Sequence, residues 1–156
     1  MKSYLLTLCF YLFTVSLWAQ EIAEFPKGNL APNVHHTGKV YLNFLSQAND
    51  NFPYNMVLAT MEAGAKLDWH SHAKGQQLVI TAGVGFYQER GKEIQVIRQG
   101  DVINTTPGVD HWHAATPTTA VAYLAIYPPD PTQWEEPIDE AFYESIVYPV
   151  KTPKEE

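Results

Sequence analysis

Residues 64–83, GAKLDWHSHAKGQQLVITAG, constrain this chain more than any other stretch. His70 and His72 lie two apart, framed by Gly64 and Gly83 and followed by an apolar, β-branched run. Residues two apart on a strand point to the same face, so both imidazoles can grip one metal ion from one strand. Gln76, four residues on, can bring an amide oxygen back to the same place. A fourth donor has to come from elsewhere, and the second histidine cluster, PGVDHWH with His111 and His113, supplies the candidates.

The N-terminus is read separately from the fold. Lys2, an apolar run from Tyr4 to Trp18 and then Ala19-Gln20-Glu21 follow the charged, apolar and small-residue order of a secretory signal peptide. Cleavage after Ala19 is expected, giving a periplasmic or secreted protein not held in a membrane. Cys9, the only cysteine, leaves with that segment. The mature chain then forms no disulfide, and any metal site must use His, Gln, Asp or Glu. Nine basic and seventeen acidic residues remain, a charge of −8. With no cluster of lysine or arginine, that charge argues against a nucleic-acid partner and for a small molecule.

After an extended lead-in over 20–38, a single domain is expected over 39–150. Val40, Leu42 and Phe44 alternate as a strand, and the Asn55 to Glu62 segment forms another. Gln77 to Thr81 is a strand, Ala82-Gly83 a turn, and Val84 to Gln88 a further strand. A hairpin loop over residues 89–92 returns the chain through Glu93 to Arg98. Val102 to Thr105 and Ala120 to Tyr127 complete the set, and the prolines from Pro128 to Pro131 stop the sheet. Residues 137–147 form one short helix or an arm. Short strands with glycine turns mean an all-β sandwich or barrel. The pair His35-His36 is read as polar residues of the lead-in, since neighbours on a strand face opposite ways.

These residues resemble the cupin superfamily, whose first motif places a glycine, H-x-H, a glutamate and a second glycine as Gly64, His70, His72, Gln76 and Gly83 stand here, with glutamine in the glutamate place. Gly100-Asp101, Pro107, Gly108 and His111 resemble its second motif. The chain looks most like the small single-domain group with H-x-H-x3-Q and P-G-x2-H-W-H, which includes carboxymuconolactone-decarboxylase-associated cupins and bacterial manganese-dependent hydroxynitrile lyases. The resemblance implies a double-stranded β-helix, a jelly-roll-like barrel, and a homodimer. It implies metal ligation by His70, His72, Gln76 and His111, with manganese favoured and iron, nickel or zinc as alternatives. Those lyases carry a further pocket histidine twelve residues after the last ligand, where this chain has Tyr123.

Three imidazoles and an amide oxygen are neutral, so a divalent ion keeps its full charge and acts as a strong Lewis acid. His113 can share the inward face of His111 and serve as general acid or base, as a substitute ligand, or as a support for a neighbouring ring. Tyr123 can donate or carry a proton but is a poor base at neutral pH. Val57, Ala59 and Tyr127 are expected to line an apolar substrate pocket. Trp69 and Trp112 should face away from the ligands, and Gln77 competes with Gln76. The leading expectation is an exported metal-dependent enzyme doing lyase or isomerase chemistry. A metal-dependent dioxygenase and a non-catalytic metabolite-binding protein are the alternatives.

Overall fold

Alternating apolar residues give one face of each strand to the interior, and the strands roll up around it. The structure, a computed structural model, describes residues 25–148. The expected leader over 1–19, with Cys9, lies outside the described residues, as do residues 20–24 and 149–156.

Two short strands, β1 (Asn29–Leu30) and β2 (His36–Thr37), precede β3 (Val40–Ser46) and β4 (Asn55–Met61). Then come β5 (Lys66–Leu67), β6 (His70–Ser71), the long β7 (Gln77–Glu89), β8 (Gln95–Arg98) and β9 (Val102–Asn104). The last strands are β10 (His111–Ala115), β11 (Val121–Tyr127) and β12 (Gln133–Trp134), followed by the helix α1 (Glu140–Glu144). All pairing is antiparallel. One side runs β1, β3, β4, β11 and the first half of β7, with β9 beside it. The other joins the second half of β7 to β8 and β10, and β10 to β5 and β6.

The continuous β7 corrects the turn expected at Ala82-Gly83. Gly83 has φ of +76° and pairs with Val121, and two residues earlier the pairing with β11 shifts register, Ala122 facing Ala82 and Tyr123 facing Ile80 with Thr81 left over. A Cβ at Gly83 would sit 2.0 Å from the Ala120 carbonyl oxygen, so only glycine fits. The bulge at Thr81, with the left-handed Gly83 beside it, carries one strand from the first side of the curled sheet to the second.

Two clusters fill the molecule. The larger, between the two sides, includes Val40, Ala59, Met61, Leu78, Ile80, Tyr87 and Tyr123. The smaller lies outside β7 and β10 and joins Phe86, Trp112 and Ala114 to Ile138 and Tyr143 of the C-terminal segment. The expected helix or arm at 137–147 is thus a helix of one turn with a packing role. Asp139 caps it by accepting from the Phe142 N–H at 2.7 Å. Buried Lys66 pins it by an ion pair to Glu140 at 2.9 Å. No helix among the described residues is long and apolar enough to cross a membrane.

Candidate metal centre

β10 sets the geometry of the site. Alternation sends His111, His113 and Ala115 inward and turns Trp112 and Ala114 to the outer cluster, as expected for Trp112. Trp69 joins the same outer packing, edge-on to Trp112 with ring centroids 6.3 Å apart. β6 pairs with β10 so that His70 stands opposite His111, and their rings lie 4.4 Å apart.

A tight turn returns the chain from His72 to Gln76. The Gly75 N–H donates to the His72 carbonyl at 3.0 Å, and the Gln76 N–H donates to Thr105 Oγ1 at 2.7 Å. A Cβ at Gly75 would come within 2.7 Å of the Thr105 carbonyl oxygen, so the residue must be small. The turn leaves Gln76 buried, while Gln77 is exposed and donates to Asn104 Oδ1 at 2.8 Å.

The structure brings the four expected ligands and both expected catalytic residues together. His72 lies 5.3 Å from His70 and 5.6 Å from His111 between ring centroids. The tightest group is His70, His111 and His113, with ligand atoms within 4.8 Å of one another, and it could hold a metal ion. His72 falls outside that trio and His113 falls inside it, so the nearest three are not the three imidazoles singled out from the motif.

Hydrogen bonds fix which nitrogen faces the centre. A carbonyl only accepts, so His70 Nδ1 donates to the Asp68 carbonyl at 2.8 Å and His111 Nδ1 donates to the Val109 carbonyl at 3.0 Å. Each neutral ring then carries its lone pair on Nε2, the form that binds a metal. Several buried atoms have no partner among the described residues: Nε2 of His72, Oε1 of Gln76, Nε2 of His111 and both ring nitrogens of His113. Leaving a buried polar group unpaired costs about 1–3 kcal/mol. Converging lone pairs of this kind fit a divalent cation, so the donor set passes the test that the motif invites. Among the described residues His113 makes no hydrogen bond to a neighbouring ring.

Electrostatics keeps the cluster neutral. Burial pushes His70 and His113 well below the usual imidazole range, and the neighbouring imidazoles add to the shift. Burial, followed by His111, lowers His72 to about 4. Burial also lowers His111, against the opposing pull of the Val109 carbonyl and of Glu89 and Asp110. Glu89, which sequence reading passed over, stands opposite His111 in the β7–β10 register and is buried. Burial pushes its carboxyl up, but Lys92, Thr106 and the Tyr87 hydroxyl together bring it down to about 2.

A pH dependence follows for the metal-free protein. An unfolded histidine titrates near 6.5, and all four here titrate lower when folded, so the unfolded chain binds more protons below that pH. Stability is therefore fully present above about pH 7 and lost as the pH falls through 6.5 toward 4. Each excess proton contributes a slope of about 1.4 kcal/mol per pH unit. Urea midpoints measured with chelator should be flat above pH 7 and drop between pH 6.5 and 5. Midpoints that stay level to pH 5 would contradict buried neutral imidazoles.

A cavity of about 270 Å³ opens onto the cluster. His70, His72, Gln76, His113 and Tyr123 line it, together with the expected Val57, Ala59 and Tyr127. Tyr123 is 2% exposed, meets the edge of His113 at 5.0 Å and donates to Met61 Sδ at 3.5 Å. Burial raises its pKa, so the hydroxyl stays protonated and acts as a donor.

The lead-in reading of His35-His36 is corrected by this cavity. Both residues line it, and so does Trp134 of β12, which sequence reading missed. Trp134 pairs with His70 in register and stacks on His35 at 4.5 Å and 4° between planes. His35 holds φ of +58°, a left-handed conformation that side-chain-bearing residues seldom adopt. No periodicity marks these positions, because β2 and β12 have two residues each.

Comparisons with known proteins agree with this architecture. Residues 57–127 match the cupin domain family. The chain is 44% identical over 90 residues to an (R)-mandelonitrile lyase from Granulicella tundricola, spanning 58% of this chain and 69% of that one. A cupin-like protein from Thermotoga maritima is 34% identical, with a TM-score of 0.74 over 79% of this chain and 96% of the other. A cupin 2 conserved barrel protein from Rhodopseudomonas palustris, 19% identical with a TM-score of 0.60 over 68% of this chain and 74% of that one, shares the fold. With its curled β-barrel, its two histidine motifs and a centre of three histidines able to hold a metal ion, the chain belongs to the cupin family.

Proposed function

We propose that the protein is a metal-dependent cupin enzyme that performs lyase-type chemistry, or the related isomerase chemistry, on a small organic molecule. The observation that carries this reading is the set of buried, unpartnered, neutral donor atoms on His72, Gln76, His111 and His113 beside an apolar cavity. His70, His72, Gln76 and His111 hold the ion, with manganese favoured over iron, nickel and zinc. A divalent ion there supplies Lewis-acid polarisation of a carbonyl or hydroxyl oxygen. His113, with both nitrogens unengaged, takes or returns a proton, and Tyr123 donates a hydrogen bond to a developing oxyanion. Val57, Ala59 and Tyr127 hold the apolar body of the substrate and keep water from it.

The relative named for (R)-mandelonitrile cleavage supports lyase chemistry here. A direct assay supplies the protein with manganese(II) and (R)-mandelonitrile and follows benzaldehyde by its ultraviolet absorbance. Release of benzaldehyde without uptake of dioxygen is expected. Dioxygen consumption with catechols or flavonols, and no benzaldehyde, would move the reading to a dioxygenase. Ligand-induced stabilisation without turnover that survives His70→Ala would leave a binding protein.

We further propose export to the periplasm or medium, on the residue order of 1–19. A homodimer is proposed through the outer face of the first sheet side. Val102, Val79 and Leu124 stand side by side there in the β9, β7 and β11 register, with Val102 53% exposed.

A further inference from the structure

We propose that Glu89 is the countercharge of the metal centre, a positioning residue that raises the affinity of the four donors for a divalent ion without ligating it. This rests on the functional reading above, which gives ligation to His70, His72, Gln76 and His111. That donor set is neutral, with glutamine where the motif has a carboxylate, so a bound ion keeps both units of positive charge in a buried site. Among the described residues one carboxylate is buried, and it is Glu89, at 4% exposed. It stands opposite His111 in the β7–β10 register, and Tyr87 stands opposite His113, so the four side chains share one face of the sheet. The Tyr87 and His111 rings lie 5.8 Å apart. Burial raises the pKa of Glu89, but Lys92, Thr106 and Tyr87 outweigh it, so the carboxylate stays ionised at neutral pH.

Both carboxylate oxygens are engaged by the protein. Oε1 accepts from the Tyr87 hydroxyl at 3.0 Å and from the Thr106 N–H at 2.8 Å, and Oε2 meets the Lys92 ammonium. The carboxylate lies outside the tight group of His70, His111 and His113 ligand atoms, and His111 Nδ1 donates to Val109 and not to Glu89. Its action on the ion is therefore through space. The segment that fixes the anion also fixes a ligand. Thr105 accepts from the Gln76 N–H at 2.7 Å and donates its own N–H to the Gln76 carbonyl at 2.8 Å. Lys92 does not cancel the charge as seen from the centre. Its side chain is 62% exposed and its field is screened by water and salt, whereas the Glu89 side chain is 5% exposed. In the less polarisable interior the attraction between carboxylate and ion is stronger than it would be in water.

Three variants separate a countercharge from a merely structural role. In each, the metal-free protein competes with a chromophoric chelator for zinc(II) at neutral pH. Glu89→Gln removes the charge and keeps an oxygen for Tyr87 and Thr106, and it should bind zinc(II) about 10–100-fold more weakly than wild type. Lys92→Met leaves the anion without its cation and should bind at least as tightly as wild type, whereas a residue that only braced the fold would lose affinity with its partner. Glu93→Gln makes the same change of net charge on an exposed side chain and should stay within about threefold of wild type. Cobalt(II) absorption bands should be the same in wild type and Glu89→Gln, because the ligands are the same. Glu89→Gln binding within about threefold of wild type, or Lys92→Met binding more than about threefold more weakly, would overturn the proposal. So would a loss in Glu93→Gln equal to that in Glu89→Gln, or shifted cobalt bands in Glu89→Gln. Urea unfolding of the metal-free forms shows whether Glu89→Gln folds, and if it does not, Lys92→Met and Glu93→Gln still decide the matter. Wild type that takes up no zinc(II) refutes the metal centre and this role with it. Wild type that binds zinc(II) no better than Glu89→Gln does refutes the role of Glu89 alone.

Discussion

Trp112→Ala should lower stability by about 3–5 kcal/mol, as expected for truncating a large side chain in a packed interior. Trp112 is 0% exposed and sits in the outer cluster with Phe86, Ile138 and Tyr143. Its Nε1–H donates to Gln88 Oε1 at 2.9 Å, directly across the β7–β10 register. The substitution thus opens a cavity, loses the edge-on contact with Trp69 and frees the C-terminal segment from its seat. Because Trp112 stands between His111 and His113, loosening β10 should also weaken metal retention on warming. Urea unfolding of the two proteins measures the effect. A loss below about 1 kcal/mol would mean that the outer cluster does not hold β10 in place.

His113→Ala should lower kcat by about 10²–10⁴, the range typical of a positioned acid or base, while the metal stays bound. The imidazole is 2% exposed, faces Tyr123 and has no partner on either nitrogen among the described residues. Its lowered pKa keeps it in the neutral form, which holds a lone pair for a proton but is a weaker base than a solvated imidazole. Tyr123→Phe should have a smaller effect, since it removes a donor whose present partner is only a thioether. Steady-state rates and metal content, measured together, check both variants. Loss of the metal in His113→Ala with retention in His72→Ala would assign ligation to the tight trio of His70, His111 and His113 instead.

The candidate metal centre was legible because its signals are local. Alternation puts His111 and His113 on one face and Trp112 on the other whatever the rest of the chain does. The turn from His72 to Gln76 is likewise contained in a few residues, and spacing alone separated Gln76 from Gln77. Gly83 was harder. A glycine in a strand pattern marks either a turn or a bulge, and here the choice depends on β11 and β10, distant in sequence, each pairing with one half of β7. The cavity rim was invisible for a related reason. His36 and Trp134 lie in strands of two residues, too short for any period, and their places are set by pairing with β5 and β6. Whether an exposed-looking histidine pair reaches a cavity depends on such tertiary pairing, which composition does not encode.

The central claim is that these donor atoms hold a metal ion, and elemental analysis tests it most directly. Residues 20–156, purified with neither added metal nor chelator, would be compared with His70→Ala and Gln76→Ala forms. About one equivalent of manganese, iron, nickel or zinc per chain is predicted, lost in His70→Ala and weakened in Gln76→Ala. A protein that holds no metal, even after reconstitution, would contradict the account.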